Sequence, residues 1–164
     1  KIAYSSKELT IMGDSGGGAF CASIVMDKEF VATEQIKKQV LIYTSTDYTL
    51  TSPTLDTLGT GYFLEKPKIA WYFDNYFQNN EDRKHASPLY GEFYANMPDS
   101  LVIVASHDPL FNDGASYYQN VINVGAKAEL VTIDGVVHAY LMLENLCKEE
   151  CDYTYQEIAH FLHS

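Results

Sequence analysis

The sequence predicts an α/β fold, a mostly parallel sheet with flanking helices, and three observations predict it. Four short runs rich in branched apolar residues recur along the chain. They are apolar without strict alternation, as strands covered on both faces are. Helical patterns separate them, so strand and helix alternate. The first run also leads through a glycine-rich turn straight into the first helical stretch.

The first strand is Leu9-Thr10-Ile11-Met12, and a helix from Ala19 to Phe30 follows the glycines. The second strand is Val40-Leu41-Ile42-Tyr43. Residues 44 to 97 are too long for a simple crossover and read as an insertion. Within it Pro67 suits a first helical position, and Ile69, Tyr72, Phe73, Tyr76 and Phe77 follow at helical spacing. That helix is expected to pack its aromatic face on the core, with the insertion forming a cap or one wall of a ligand pocket. Leu101-Val102-Ile103-Val104 is the third strand. A helix from Ala115 to Val124 follows, with Tyr118, Val121 and Ile122 in register, and stops at Gly125. Leu130-Val131-Thr132-Ile133 is the fourth strand. A last helix, Tyr153 to Leu162, puts Ile158, Phe161 and Leu162 on one face. There is neither repeat nor linker, so residues 1–164 read as a single, partial domain.

At 164 residues the chain can bury roughly 70% of its unfolded surface. With 46% hydrophobic and 20% charged residues, disorder and collagen-like classes are excluded. No apolar run reaches the roughly 18 residues that span a bilayer. The net charge of −11 repels phosphate backbones and anionic lipid, which argues against nucleic-acid and membrane partners. Aromatic residues at 13% fit an aromatic-lined cavity or a large interface. The three cysteines, an odd number, favour free thiols and a cytoplasmic, reducing compartment. Cys147 and Cys151 have i, i+4 spacing, half of a zinc site, but no His or Cys pair completes it, so no metal is expected. Cys21 reads as a buried small hydrophobe. The chain begins at Lys1 with no initiator Met, which reads as a cut or processed terminus.

The chemistry concentrates at strand ends. Gly13-Asp14-Ser15-Gly16-Gly17 reads G-x-S-x-G between the first strand and first helix. Glycines beside the serine let so tight a turn pass without clashes, and the turn lifts the hydroxyl above the sheet. A serine hydroxyl is a poor nucleophile until a base takes its proton. Asp108 follows the third strand, held extended by Pro109. His138 follows the fourth strand after the turn residues Asp134 and Gly135. The order Ser, Asp, His and the carboxyl ends of parallel strands suit a hydrolase site. His107 is expected to point to the other side of its strand, and His85, His160 and His163 to lie at the surface. Asp113 and Asp134 are alternative carboxylates, each expected to cap a helix or turn. Tyr48, Trp71, Tyr72 and Tyr90 are candidate pocket residues, though core packing explains them equally well.

Gly13-Asp14-Ser15-Gly16-Gly17-Gly18, Ser87-Pro88-Leu89, Ser106-His107-Asp108-Pro109-Leu110 and Asp134-Gly135-Val136-Val137-His138-Ala139 jointly resemble the hormone-sensitive-lipase-like branch of the α/β-hydrolases. That branch includes bacterial acetyl esterases and other short-chain carboxylesterases. The resemblance implies Ser15 as nucleophile, His138 as general base and acid, Asp108 as its orienting carboxylate and the Gly16 N–H as an oxyanion donor. It implies cleavage of small uncharged acyl esters through an acyl-enzyme, with no metal or cofactor. The family also carries a His-Gly-Gly-Gly-type oxyanion loop well upstream of the serine, and none of the 14 residues before Ser15 match it. The resemblance therefore implies the C-terminal half of a longer hydrolase, lacking N-terminal strands and oxyanion loop. Such a half is a truncated or proteolysed piece, a broken reading frame, or a half whose missing strands come from another chain or a homo-oligomer. The parent sequence is expected to encode a complete enzyme. Two other readings stand beside it: a serine peptidase of the prolyl-oligopeptidase type, and a non-catalytic ligand-binding protein of the same fold.

Overall fold

The computed structural model describes residues 8–27 and 35–164. Four parallel strands lie side by side in chain order: β1 (Leu9–Asp14), β2 (Ile36–Ile42), β3 (Asp99–His107) and β4 (Ala128–Val137). Among the described residues six α-helices accompany them: α1 (Gly16–Met26), α2 (Thr54–Thr57), α3 (Lys66–Tyr76), α4 (Arg83–Ala86), α5 (Phe111–Asn123) and α6 (Lys148–His163). Parallel neighbours require such crossovers.

Side chains alternate across the two central strands, and both faces are dry. Val40 and Ile42 of β2, with Leu101, Ile103 and Ala105 of β3, share one cluster with Cys151, Ile158 and Phe161 of α6. Leu41, Val102 and Val104 join Ala22 and Val25 of α1 and Tyr117 and Val121 of α5 in a second cluster. Each fully buried aliphatic side chain contributes roughly 1.5–3 kcal/mol of transfer free energy. The approach of α5 to β3 depends on Gly114, where a Cβ would meet the Val104 side chain at 2.6 Å.

β2 starts earlier than the apolar run suggests, because its polar residues find remote partners. The buried Gln39 amide donates to Ser100 Oγ (2.8 Å) and Tyr117 Oη (3.2 Å). Lys38 Nζ donates to the Phe161 carbonyl (2.7 Å), where a cation suits the C-terminal end of α6. The strand ends at Ile42, and Tyr43 takes a left-handed φ of 36° instead of continuing it. α1 begins directly after Ser15, ahead of the expected Ala19, and its last residue is Met26; residues 28–30 of the expected helix lie outside the described residues. α5 and α6 likewise start before their expected boundaries.

Between β2 and β3, α3 carries Pro67 in its first turn, as its sequence suggests. Ile69 and Phe73 of α3 are buried with Tyr48, Leu55, Ala19 and Leu110 in a third cluster. Trp71, Tyr72 and Tyr76 are exposed, so the expected aromatic face is divided. Residues 69, 73 and 77 recur every fourth position and line the core side, whereas 72 and 76 fall on the adjoining stripe. Thr54 Oγ1 donates to the Pro109 carbonyl (2.7 Å) and accepts the Asn112 N–H (3.3 Å), tying α2 to the loop after β3. Among the described residues no helix is long and apolar enough to cross a membrane.

Candidate active site

Ser15 stands alone between β1 and α1 with φ 48° and ψ −120°. A non-glycine residue held there stores on the order of 1–3 kcal/mol of strain, and its surroundings fix it. Its N–H donates to the Ile42 carbonyl (2.9 Å). Its own carbonyl accepts the Ala19 N–H (3.2 Å) and the Thr44 hydroxyl (3.2 Å). Two glycines make the turn geometrically possible. A Cβ at Gly13 would lie 2.3 Å from the Gly17 carbonyl carbon, and one at Gly18 would lie 2.5 Å from Thr44 Oγ1. Because Ala19 is the residue that bonds back to Ser15, the N–H groups of Gly16 and Gly17 precede the first helical hydrogen bond. They form the positive end of the α1 dipole, beside the serine.

The three side chains singled out at strand ends meet. Ser15 Oγ lies 2.9 Å from His138 Nε2. His138 Nδ1 lies 2.7 Å from Asp108 Oδ2. Asp108 is fully buried and His138 nearly so, while Ser15 keeps partial access to solvent. The other Asp108 oxygen accepts the Leu110 N–H (2.8 Å), which fixes the carboxylate plane. With Nδ1–H donating to the carboxylate, the Nε2 lone pair faces the serine hydroxyl, the arrangement that general-base activation requires. Ala139, at φ 57°, turns the chain away just after the histidine.

Tyr43 completes the packing, its ring edge-on to the imidazole with centroids 5.0 Å apart. Its hydroxyl donates to Asp14 Oδ2 (3.3 Å). Burial, and then the neighbouring Asp14 charge, raise the Tyr43 pKa, so it remains a neutral donor. Neither Tyr43 nor Thr44 was singled out from the sequence: their partners Asp14, Ser15 and His138 are brought to them only by the β1–β2 pairing and the β4 loop.

The competing residues sit elsewhere. His107 stacks on Tyr62 (5.6 Å, 21°) and lies within 3.0 Å of Ser106 Oγ, outside the Ser15–His138–Asp108 chain. His85, His160 and His163 are exposed. Asp134 is exposed on β4 before Gly135, which has φ 73°. Asp113 is not the cap its sequence position suggests. It is 1% exposed, and its Oδ2 accepts the N–H groups of Thr46 (3.1 Å) and Asp47 (3.0 Å). Burial foremost pushes its carboxyl up to about 7. Tyr48 is core, edge-on to Phe73 at 5.1 Å, whereas Trp71, Tyr72 and Tyr90 are exposed. Cys21 is buried in the cluster between the sheet, α1 and α5, and burial raises its thiol pKa.

Residues 1–142 match the family described as the alpha/beta hydrolase fold. An ethyl acetate hydrolase of Pseudomonas putida is 28% identical over 153 residues, which cover 90% of this chain and 48% of that protein. An arylesterase of Saccharolobus solfataricus is 24% identical, with coverage of 86% and 47%. Among solved structures, carboxyl esterase 2 of Tuber melanosporum superposes with a TM-score of 0.83 at 25% identity, covering 91% of this chain and 51% of that one. A hyperthermophilic esterase of Pyrobaculum calidifontis gives 0.81 at 28% identity, covering 91% and 49%. The chain thus spans about half the length of the curated relatives it matches.

Proposed function

This chain belongs to the α/β-hydrolase family, and on that premise we propose that it carries the nucleophile side of an esterase that cleaves short-chain, uncharged acyl esters. The observation that carries the reading is the continuous chain from Ser15 Oγ through the His138 imidazole to the Asp108 carboxylate, set on a strained turn. In the proposed reaction His138 Nε2 takes the Ser15 proton as Oγ attacks the acyl carbon. Asp108 holds the imidazole in place and stabilises its positive charge. The Gly16 N–H, at the start of α1, is the proposed donor to the oxyanion. His138 then returns the proton to the departing alcohol, and water repeats the sequence on the acyl-enzyme. Each oxyanion donor is worth about 100- to 1,000-fold in rate, so full activity calls for donors besides Gly16.

The esterase names of the relatives support an ester substrate. The exposed rings of Trp71, Tyr72 and Tyr76, with Phe20 lying 6.2 Å from Tyr76, support the inserted segment as an aromatic pocket wall. The net charge of −11 supports neutral over anionic substrates. Free thiols support a cytoplasmic location.

Intact mass after treatment with a fluorophosphonate tests the reading. One adduct is expected on the native protein and none on Ser15→Ala. No adduct, or one that persists in the variant, overturns it. A parallel assay separates the other readings: nitrophenyl acetate should be cleaved, and a prolyl amide should not.

A further inference from the structure

We propose that Cys147 and Cys151 form a reversible dithiol–disulfide site, closed by hydrogen peroxide and reopened by a thiol reductant. Their sulfurs lie 3.9 Å apart across the first turn of α6. Helical residues four apart have Cα atoms about 6 Å apart, inside the roughly 4.4–6.8 Å that disulfides bridge. Both sulfurs also face one acceptor, the Tyr140 carbonyl, at 3.3 Å for Cys147 and 3.7 Å for Cys151. They therefore need only close on each other, without a change of side. Cys147 can supply that motion, because it is the N-cap of α6 with φ −142° and ψ 52°, outside the helical region.

The two thiols differ in a way that assigns their order of reaction. Cys147 is partly exposed and Cys151 is fully buried. Burial, then Cys147 and the acidic neighbours Glu144 and Glu150, push the Cys151 thiol up to about 11, so it stays protonated. Cys147 is the sulfur a peroxide reaches. Its thiolate attacks the nearer peroxide oxygen, the O–O bond breaks, and hydroxide leaves with that electron pair, giving a sulfenic acid. The Cys151 sulfur then displaces the sulfenic oxygen, which leaves as water with the Cys151 proton. In sum two thiols lose two electrons, one peroxide gains them, and two waters form. Cys21 lies in the cluster on the opposite face of the sheet and takes no part. Closure withdraws both S–H donors from the Tyr140 carbonyl, in the turn that follows His138.

Tryptic mapping tests the site directly, since Lys148 lies between the two cysteines. The native chain is treated with hydrogen peroxide, remaining thiols are alkylated, and the digest is run without reductant. Residues 128–148 and 149–164 are expected as one linked pair, lighter by two hydrogen atoms than their sum, and separable by dithiothreitol. Cys147→Ser should lose the linked pair, while the native digest decides the question even if that variant folds poorly. Recovery of both cysteines alkylated after peroxide overturns the proposal. So does a cross-link between two chains, or Cys147 carrying two added oxygens with no linked pair.

Discussion

Asp113 shows how one buried carboxyl couples the loop after β2 to the solution pH. Its Oδ2 holds the Thr46 and Asp47 amides, and burial raises its pKa from 3.8 to about 7. Between those values the folded chain keeps a proton that the unfolded chain has released. Stability from this group is therefore complete below about pH 4 and declines as pH rises toward about 7. A shift of that size corresponds to a few kcal/mol, at about 1.4 kcal/mol per unit. Asp113→Asn keeps a carbonyl oxygen for both amides and has no charge to bury. In urea unfolding the variant should gain on the native protein as pH rises from about 4 to about 7, and hold that gain above. A difference that stays constant across this range would show that the carboxyl does not carry the linkage.

The strand-to-helix turn makes a similar demand on backbone, and its glycines are unequal. Gly13 leaves no room for a Cβ, which would sit 2.3 Å from the Gly17 carbonyl carbon, whereas a Cβ at Gly16 would meet no atom of the other described residues within 4 Å beyond its own turn. Gly13→Ala should therefore displace the turn and cost several kcal/mol, read as a large fall in Tm. Gly16→Ala, inside α1, should be neutral or gain up to about 1 kcal/mol from helix propensity. If both variants melt alike, the turn is not held as described. The same contrast explains what the residues alone could tell. The apolar centres of the four strands were legible, but the buried-strand pattern of branched side chains on both faces holds only for β2 and β3. β1 and β4, read from the sequence as covered too, carry mostly half-buried or exposed residues. Strand ends were not: Lys38 and Gln39 look like loop residues until Phe161, Ser100 and Tyr117 arrive as partners. Ser15, Asp108 and His138 were legible by residue type, order and place at strand ends. Thr44, Tyr43 and Asp113 were not, since each acts on residues far away in the chain.

Among the described residues the outer strands of the sheet are β1 and β4, and they manage exposure differently. β4 carries Glu129 and Asp134, charges that discourage pairing with another chain, whereas β1 carries a charge only at its last residue, Asp14. Among the described residues β1 pairs only with β2. Met12 is 56% exposed, and Phe20 and Ile24 of α1 are exposed as well. A strand edge flanked by such residues favours self-association, while the net charge of −11 opposes it. The two forces have different reach. Repulsion between net charges is screened beyond about 10 Å at 0.1 M salt, and edge pairing acts only at contact. Added salt should therefore tip the balance toward association. Sedimentation velocity should show the weight-average coefficient rising between about 0.02 and about 0.5 M sodium chloride. Met12→Lys separates edge from charge, because it lowers the net negative charge, which alone would promote association, yet places a cation on the exposed edge. If the edge governs, the variant stays monomeric at the higher salt. If it associates more than the native protein does, net repulsion governs and β1 is not the contact.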